Sequence, residues 1–347
     1  AVTQTGIITA GTLTGSTGSS VTLNGNNLIN NLGAFTSGGN FSLNDAGGGL
    51  NVTGAQSSTG SVTIATTGGA LALGTNGITS VGVSLTGTGV TSTGGTVDAG
   101  TGTILVDAND GAISLAGALT TTNATSTAVT IQDATTAALG DITTGAAGTV
   151  TLGGAGANNI SGAVTQTGII AAGTLTGNTG STVALNGNNL LTNLGAFTSG
   201  GNFSLNDAGG GLNVTGAQSS AGAVTIATTG GALALGTNNI TSTTGGVTLT
   251  GTSVTSAAGS TVDAGDGTIL VDANTGAIAL DGALTTGNDT ANATVIRDAS
   301  TVSLANVTVN ADGLGGDGFV VIGVGGDITG AVTQTGIITA GTLTGST

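Results

Sequence analysis

Seventeen residues, Ala1-Val2-Thr3-Gln4-Thr5-Gly6-Ile7-Ile8-Thr9-Ala10-Gly11-Thr12-Leu13-Thr14-Gly15-Ser16-Thr17, occur three times in this chain of 347. They return at Ala163 with two changes, Thr9 becoming Ala171 and Ser16 becoming Asn178, and return unchanged at Ala331. The chain therefore divides into a first long repeat, residues 1–162, a second, 163–330, and the start of a third, 331–347. Copies this similar fold alike and stack, so the expectation is one continuous periodic rod rather than separate globular domains, and a segment of something longer.

A shorter period runs inside the long one. Apolar-polar-apolar triplets begin at Val21, Phe41, Val62, Val83, Ile104, Val129 and Val150, weaken at Val164-Thr165-Gln166 and resume at Val183. The steps are 20, 21, 21, 21, 25, 21, 14 and 19 residues, which predicts eight coils of about twenty residues per repeat. Alternation of this kind puts Val62 and Ile64 on one face of a strand and Thr63 on the other. Weaker strands such as Leu50-Asn51-Val52-Thr53 and Ala70-Leu71-Ala72-Leu73 stand between Gly- and Asn-rich turns. Two or three short strands per step of about twenty predict an all-β fold, a β-solenoid of the right-handed parallel β-helix kind. Eight coils at about 4.8 Å each would advance about 39 Å per repeat, and the whole chain about 80 Å.

Composition supports strands over disorder. Gly supplies 69 residues, which suits a flexible chain, but 38% of residues are apolar, β-branched residues abound, mean hydropathy is +0.42 and only 5% carry charge. There is no Pro to interrupt a strand paired on both sides, and no Cys, Met, Trp, Tyr, His, Lys or Glu. Five Phe could not fill a wide globule or a string of sandwich domains, whereas Val, Ile, Leu and Ala can fill a thin one. No apolar run approaches the eighteen or so residues that cross a bilayer, and the expectation is that any targeting signal was removed or lies outside this segment. The net charge of −15, from sixteen Asp against Arg297 alone, gives no electrostatic basis for binding nucleic acid or anionic lipid.

The copies agree best from Asn31 to Ser58, which matches Asn193 to Ser220 without a difference and carries Phe35, Phe41, Asp45 and Gly47-Gly48-Gly49. Beyond it the copies drift by three and then six residues, with a divergent stretch from Val309 to Gly326, and such changes are expected in protruding turns.

The Val-Thr-Leu, Gly-Asn and Thr-Gly coils, the Ala/Gly/Thr/Asn bias and the lack of Cys resemble the repetitive shafts of large secreted bacterial exoproteins, the filamentous-haemagglutinin-like adhesins. The resemblance covers the whole chain through composition and coil pattern. It implies a right-handed β-helical shaft outside a cell and carries over no functional residue.

The inventory argues against catalysis. Asp, Ser, Thr and one Arg leave no ordinary general base near neutrality, although Asp107, Asp110, Asp263, Asp266 and Asp272 are the carboxylates a β-helical lyase or hydrolase would use. Lyases generally need a basic residue as well, and Arg297 corresponds to Gln132 in the first copy. Asp107-Ala108-Asn109-Asp110-Gly111 and Asp272-Ala273-Asn274-Thr275-Gly276 place oxygens on a turn, as calcium requires, with Asp107, Asn109, Asp110, Asp272 and Asn274 the candidate ligands. The bland alternative is turn-forming Asp and Asn bonded to their own backbone. Gly315-Gly316-Asp317-Gly318 misses the calcium nonapeptide pattern. Asn-x-Ser/Thr triplets at Asn40, Asn51, Asn123 and Asn159 offer glycosylation acceptors, and Thr arrays could order water if their unequal intervals did not spoil the lattice.

The expected function is structural: a repeat segment of an extracellular filament or fibrous adhesin acting in surface attachment, cell-cell contact or a biofilm matrix, not an enzyme and without a required cofactor. Its partner is itself, end to end or laterally. The alternatives are a module whose loops bind carbohydrate or a surface, and a calcium-dependent repeat.

Overall fold

The computed structural model describes residues 1–156, 159–310 and 318–347. They form parallel β-strands and no α-helix, so no helix among them is long and apolar enough to cross a membrane. The chain divides into two compact units, Ala1–Gly180 and Ser181–Thr347. Each is a β-solenoid, and together they make about 15 turns of about 22 residues.

Each turn has three walls. In the first unit the first wall stacks Val2, Val21, Phe41, Val62, Val83, Ile104, Val129 and Val150 in register. The second stacks Leu50, Leu71, Val90, Ile113 and Ala137, and the third Phe35, Gln56, Ile78, Val97, Leu119 and Ile142. In the second unit the corresponding first wall is Val183, Phe203, Val224, Val247, Ile269, Thr294 and Val320.

The triplets make strands because β-branched side chains favour extended backbone and alternate between faces. The inward members fill a thin core: Ile64, Leu71, Ile78 and Leu85 are fully buried. Burial of each such side chain contributes roughly 1.5–3 kcal/mol. Backbone groups are satisfied by the next turn, as where Phe41 N–H donates to Ser61 O at 2.8 Å and Val62 N–H to Gly82 O at 2.9 Å. Phe35 and Phe41 meet inside with ring centroids 4.8 Å apart, and Phe197 and Phe203 repeat the pair at 4.8 Å.

The corners need polar groups, because there the backbone leaves the ladder. At the corner between the first and second walls Asn27, Asp45 and Thr66 stack in register and are buried. Asp45 accepts the Ile29 N–H at 2.8 Å and the Gly47 N–H at 3.1 Å. At the corner between the third wall and the next first wall the hydroxyls of Ser37, Ser58 and Ser80 donate to turn carbonyls of Gly39, Gly39 and Gly82 at 2.8, 2.6 and 2.9 Å. The glycine run follows from stacking at the corner: a Cβ on Gly68 would lie 2.0 Å from the carbonyl oxygen of Gly47 one turn below.

Two details differ from the sequence expectation. The fourteen-residue step from Val150 to Val164 is not a turn. Val150 pairs with Leu175, and Val164 pairs with Ala137 on the second wall. Seven turns carry the first wall from Val2 to Val150, and one third more brings the chain to Val164, so the first repeat spans seven and one third turns and not eight. In the second unit Val332 likewise pairs with Val302 on the second wall. The missed signal was the length of that step, which is about two thirds of its neighbours. Nor do unequal intervals spoil the outward ladder: Thr22, Ser42, Thr63 and Ser84 lie in register, then Leu105 interrupts before Thr130 and Thr151. Pairing sets the register, and the corners absorb the extra residues.

Candidate functional site

Of the residues singled out for chemistry, Asp107, Asn109, Asp110, Asp272 and Asn274 lie at the corner between the first and second walls of their units. In the first unit Asn109, Asp110 and Asp133 take left-handed backbone, with φ of 42°, 62° and 50°. Asn and Asp tolerate this conformation because their short side chains bond locally. Asp107 Oδ1 accepts the Asn109 N–H at 3.2 Å, and its Oδ2 accepts Gln132 Nε2–H at 2.8 Å. Asp110 N–H donates to Asp133 Oδ1 at 3.3 Å. Burial, and then the neighbouring Asp110 and Asp107 carboxylates, push the Asp133 carboxyl above its ordinary value.

The second unit builds the same corner with different charge. Asp272 Oδ1 accepts the Asn274 N–H at 3.1 Å, and its Oδ2 takes the Arg297 Nε–H at 2.9 Å. Thr275 stands where the first copy has Asp110, and Arg297 stands where it has Gln132. An open depression there is lined by Asp272, Arg297, Asp298, Val324 and Asp327.

Asp107 and Asp272 thus each bond one oxygen to the backbone of their own turn, as turn-forming carboxylates do, and the other to a side chain of the adjoining coil. Among the described residues no group of three or more His, Cys, Asp or Glu is arranged to hold a metal ion. Asp263 lies on the third wall, paired with Thr241 and Thr285, and its Oδ1 accepts the Gly265 N–H at 2.9 Å, so it is on a different wall from Asp272. Asp266 is exposed in the turn that follows. Gly315, Gly316 and Asp317 lie outside the described residues.

The Asn-x-Ser/Thr asparagines are mostly used between turns. Asn40 Oδ1 accepts the Ser61 N–H at 3.0 Å, Asn51 Nδ2–H donates to Asn30 O at 3.3 Å, and Asn123 Nδ2–H donates to Thr101 O at 3.1 Å. Asn159 buries its Oδ1.

A feature not read from the sequence is the placement of the charge. Between residues 1 and 97 the one ionisable side chain is Asp45, which is buried; Asp98, Asp107, Asp110, Asp133 and Asp141 then follow within two turns, and none occurs from 142 to 180. They surround the solenoid: Asp98 on the third wall, Asp107, Asp110 and Asp133 at the first corner, Asp141 beyond the second wall. The second unit repeats the pattern, with buried Asp207 alone between 181 and 262 and the remaining Asp and Arg297 between 263 and 327. The spacing of Asp along the chain was the available signal, and it becomes an axial acidic collar because turns stack in order.

No family model, no curated protein and no solved structure matches this chain.

Proposed function

We propose that this chain is a structural segment of an extracellular filament, a β-solenoid shaft of the kind found in fibrous adhesins. The observation that carries this reading is the coil-to-coil pairing of all three walls combined with a sequence that starts over at 163 and at 331. A stack in which each turn satisfies the backbone of the next extends at nearly constant free energy per turn, which favours length over a closed globule. The absence of Lys and the single Arg leave few sites for proteases that cut at basic residues, which suits exposure outside a cell. The polar chemistry found at the corners is spent on turns, which supports a non-enzymatic role, and adhesion, cell-cell contact or matrix formation are the activities such a shaft serves.

Electron microscopy of the native material, with a power spectrum along its long axis, tests the reading. The expected result is a meridional repeat near 4.8 Å with a longer one near about 35 Å, from seven and one third turns. Compact particles without the short spacing would overturn it.

A further inference from the structure

We infer that the depression at the first corner of the second unit, where Arg297 stands beside Asp298 and Asp327, binds a small zwitterion, an α-amino acid with an apolar side chain. The inference goes beyond the filament reading and does not depend on it.

Three observations support it. First, Arg297 is the one basic side chain of the sequence, and the turn does not require it, since Gln132 makes the equivalent bond to Asp107 in the first unit. Its Nε–H donates to Asp272 at 2.9 Å, while its remaining guanidinium N–H donors meet no described residue. Second, the carboxylates beside it are free of the turn. In the first unit Asp133 Oδ1 holds the Asp110 N–H at 3.3 Å. In the second the Thr275 N–H donates to the backbone carbonyl of Asp298 at 2.8 Å, and the Asp298 carboxylate bonds to no described residue. Asp327 gives Oδ1 to the Val324 N–H at 2.7 Å and keeps its other oxygen. Asp327 stands where the first unit has Asn159, since Ile160 bridges to Ala134 and Ile328 to Ala299. Two neutral side chains of the first unit, Gln132 and Asn159, are thus replaced together by a cation and an anion. Third, the depression has a volume of about 320 Å³, which suits a small ligand, and Val324, 53% exposed, supplies an apolar side.

These groups select a ligand by charge. A simple anion on the guanidinium would face Asp298 and Asp327, and a simple cation on the carboxylates would face Arg297. A molecule with a carboxylate and an ammonium a few bonds apart meets each charge with its opposite. Its carboxylate takes a bidentate pair of N–H bonds from Arg297, its ammonium donates to Asp298 and Asp327, and its apolar side chain covers Val324. Being neutral overall, it is not repelled by a chain of net charge −15. The depression is open to water, so salt screens these contacts and binding is tightest at low ionic strength.

The single arginine supplies its own probe, because the full chain made with nitrogen-labelled arginine has one Nε–H resonance. L-leucine at low salt is expected to shift that resonance saturably. In equilibrium dialysis leucine should bind about tenfold or more tightly than isopentylamine, which lacks its carboxylate, and than isocaproate, which lacks its ammonium. Arg297→Gln and Asp298→Asn are each expected to weaken leucine binding about tenfold or more. Both variants keep the corner, since Gln132 makes the bond to Asp107 in the first unit and Asn tolerates left-handed backbone as Asp does, and circular dichroism checks their fold. Leucine that fails to bind saturably, isopentylamine or isocaproate that binds as tightly as leucine, or variants that bind like the parent would each overturn the inference. None of these outcomes touches the axial repeat that tests the filament reading.

Discussion

Val164 lies in register on Ala137, on the second wall, although the identical opening strand of the first copy lies with Val2 against Val21 on the first. The long repeat thus restarts one wall further round than it began, because it contains a whole number of turns plus one third. Outward residues inherit the relationship: Thr165 stands over Ala138 and not over Thr151.

This pairing can be trapped chemically. Adjacent in-register strands sit about 4.8 Å apart, within the Cα separation a disulfide spans. The chain has no cysteine, so any bridge arises from the introduced pair. Ala138→Cys with Thr165→Cys is expected to close a disulfide under mild oxidation, seen as a mobility shift reversed by reductant, while Thr151→Cys with Thr165→Cys stays open. The reverse outcome would restore the count of eight coils.

The thin core makes single truncations costly. Ile64 is fully buried between Leu43 and Leu85 of the adjoining turns. Ile64→Ala is expected to cost about 2–5 kcal/mol, measured by chemical unfolding. Amide exchange should show the loss concentrated in the turns next to residue 64, since each turn contacts mainly its neighbours.

Acidification should stabilise the fold at first. Burial raises the carboxyl of Asp207 above its ordinary value of 3.8, with the Leu191 and Gly209 N–H groups pulling it part of the way down. The folded chain then holds a proton that the unfolded chain has lost, so stability is greater below the unfolded value and is lost as pH rises through the folded one. Asp133 acts in the same direction. Unfolding free energy is expected to rise as pH is lowered from neutrality toward the ordinary carboxylate value of 3.8, with a smaller rise in Asp207→Asn. A parent protein whose stability falls over that range would contradict this.

Arg297 should matter little to stability. Its side chain is 45% exposed, and an exposed pair of this kind contributes about 0–1 kcal/mol. In the first copy Gln132 makes the equivalent bond to Asp107 at 2.8 Å. Arg297→Gln is expected to change stability by less than about 0.5 kcal/mol and to leave the turn at Asp272 in place, as followed by thermal unfolding at low and high salt.

Gly54 should tolerate no side chain. A Cβ there would lie 2.2 Å from the backbone nitrogen of Ala34 one turn below, and backbone cannot swing aside as a side chain can. Gly54→Ala is expected to destabilise by about 1–3 kcal/mol or more, whereas Gly48→Ala, with open space around its Cβ, should be mild.

Much of this architecture is written in the spacing of residues. Triplets such as Val62-Thr63-Ile64 state locally which side chains point inward, because alternation is a property of extended backbone, and their recurrence at about one coil length declares a solenoid. The equality of Asn31–Ser58 with Asn193–Ser220 likewise places the same glycine corner and the same phenylalanine pair in both units. Sequence inspection also found Asp107, Asn109, Asp110, Asp272 and Asn274 at the first corner, as calcium candidates or as turn formers bonded to their own backbone.

Other properties depend on which turn stacks on which. Whether Val164 rests on Val150 or on Ala137 is decided by how many residues the preceding corners absorb, and corner length cannot be separated from wall length by counting alone. The regular ladder from Thr22 to Ser84 could not be read from unequal intervals for the same reason. Asp107 could be a ligand or a turn residue until the partners of both its oxygens were placed, one of them on Gln132 a full turn away. The acidic collar has the same origin: sequence determines where the charges fall along the chain, but only the stacking of successive turns makes a stretch of chain into a band around the solenoid.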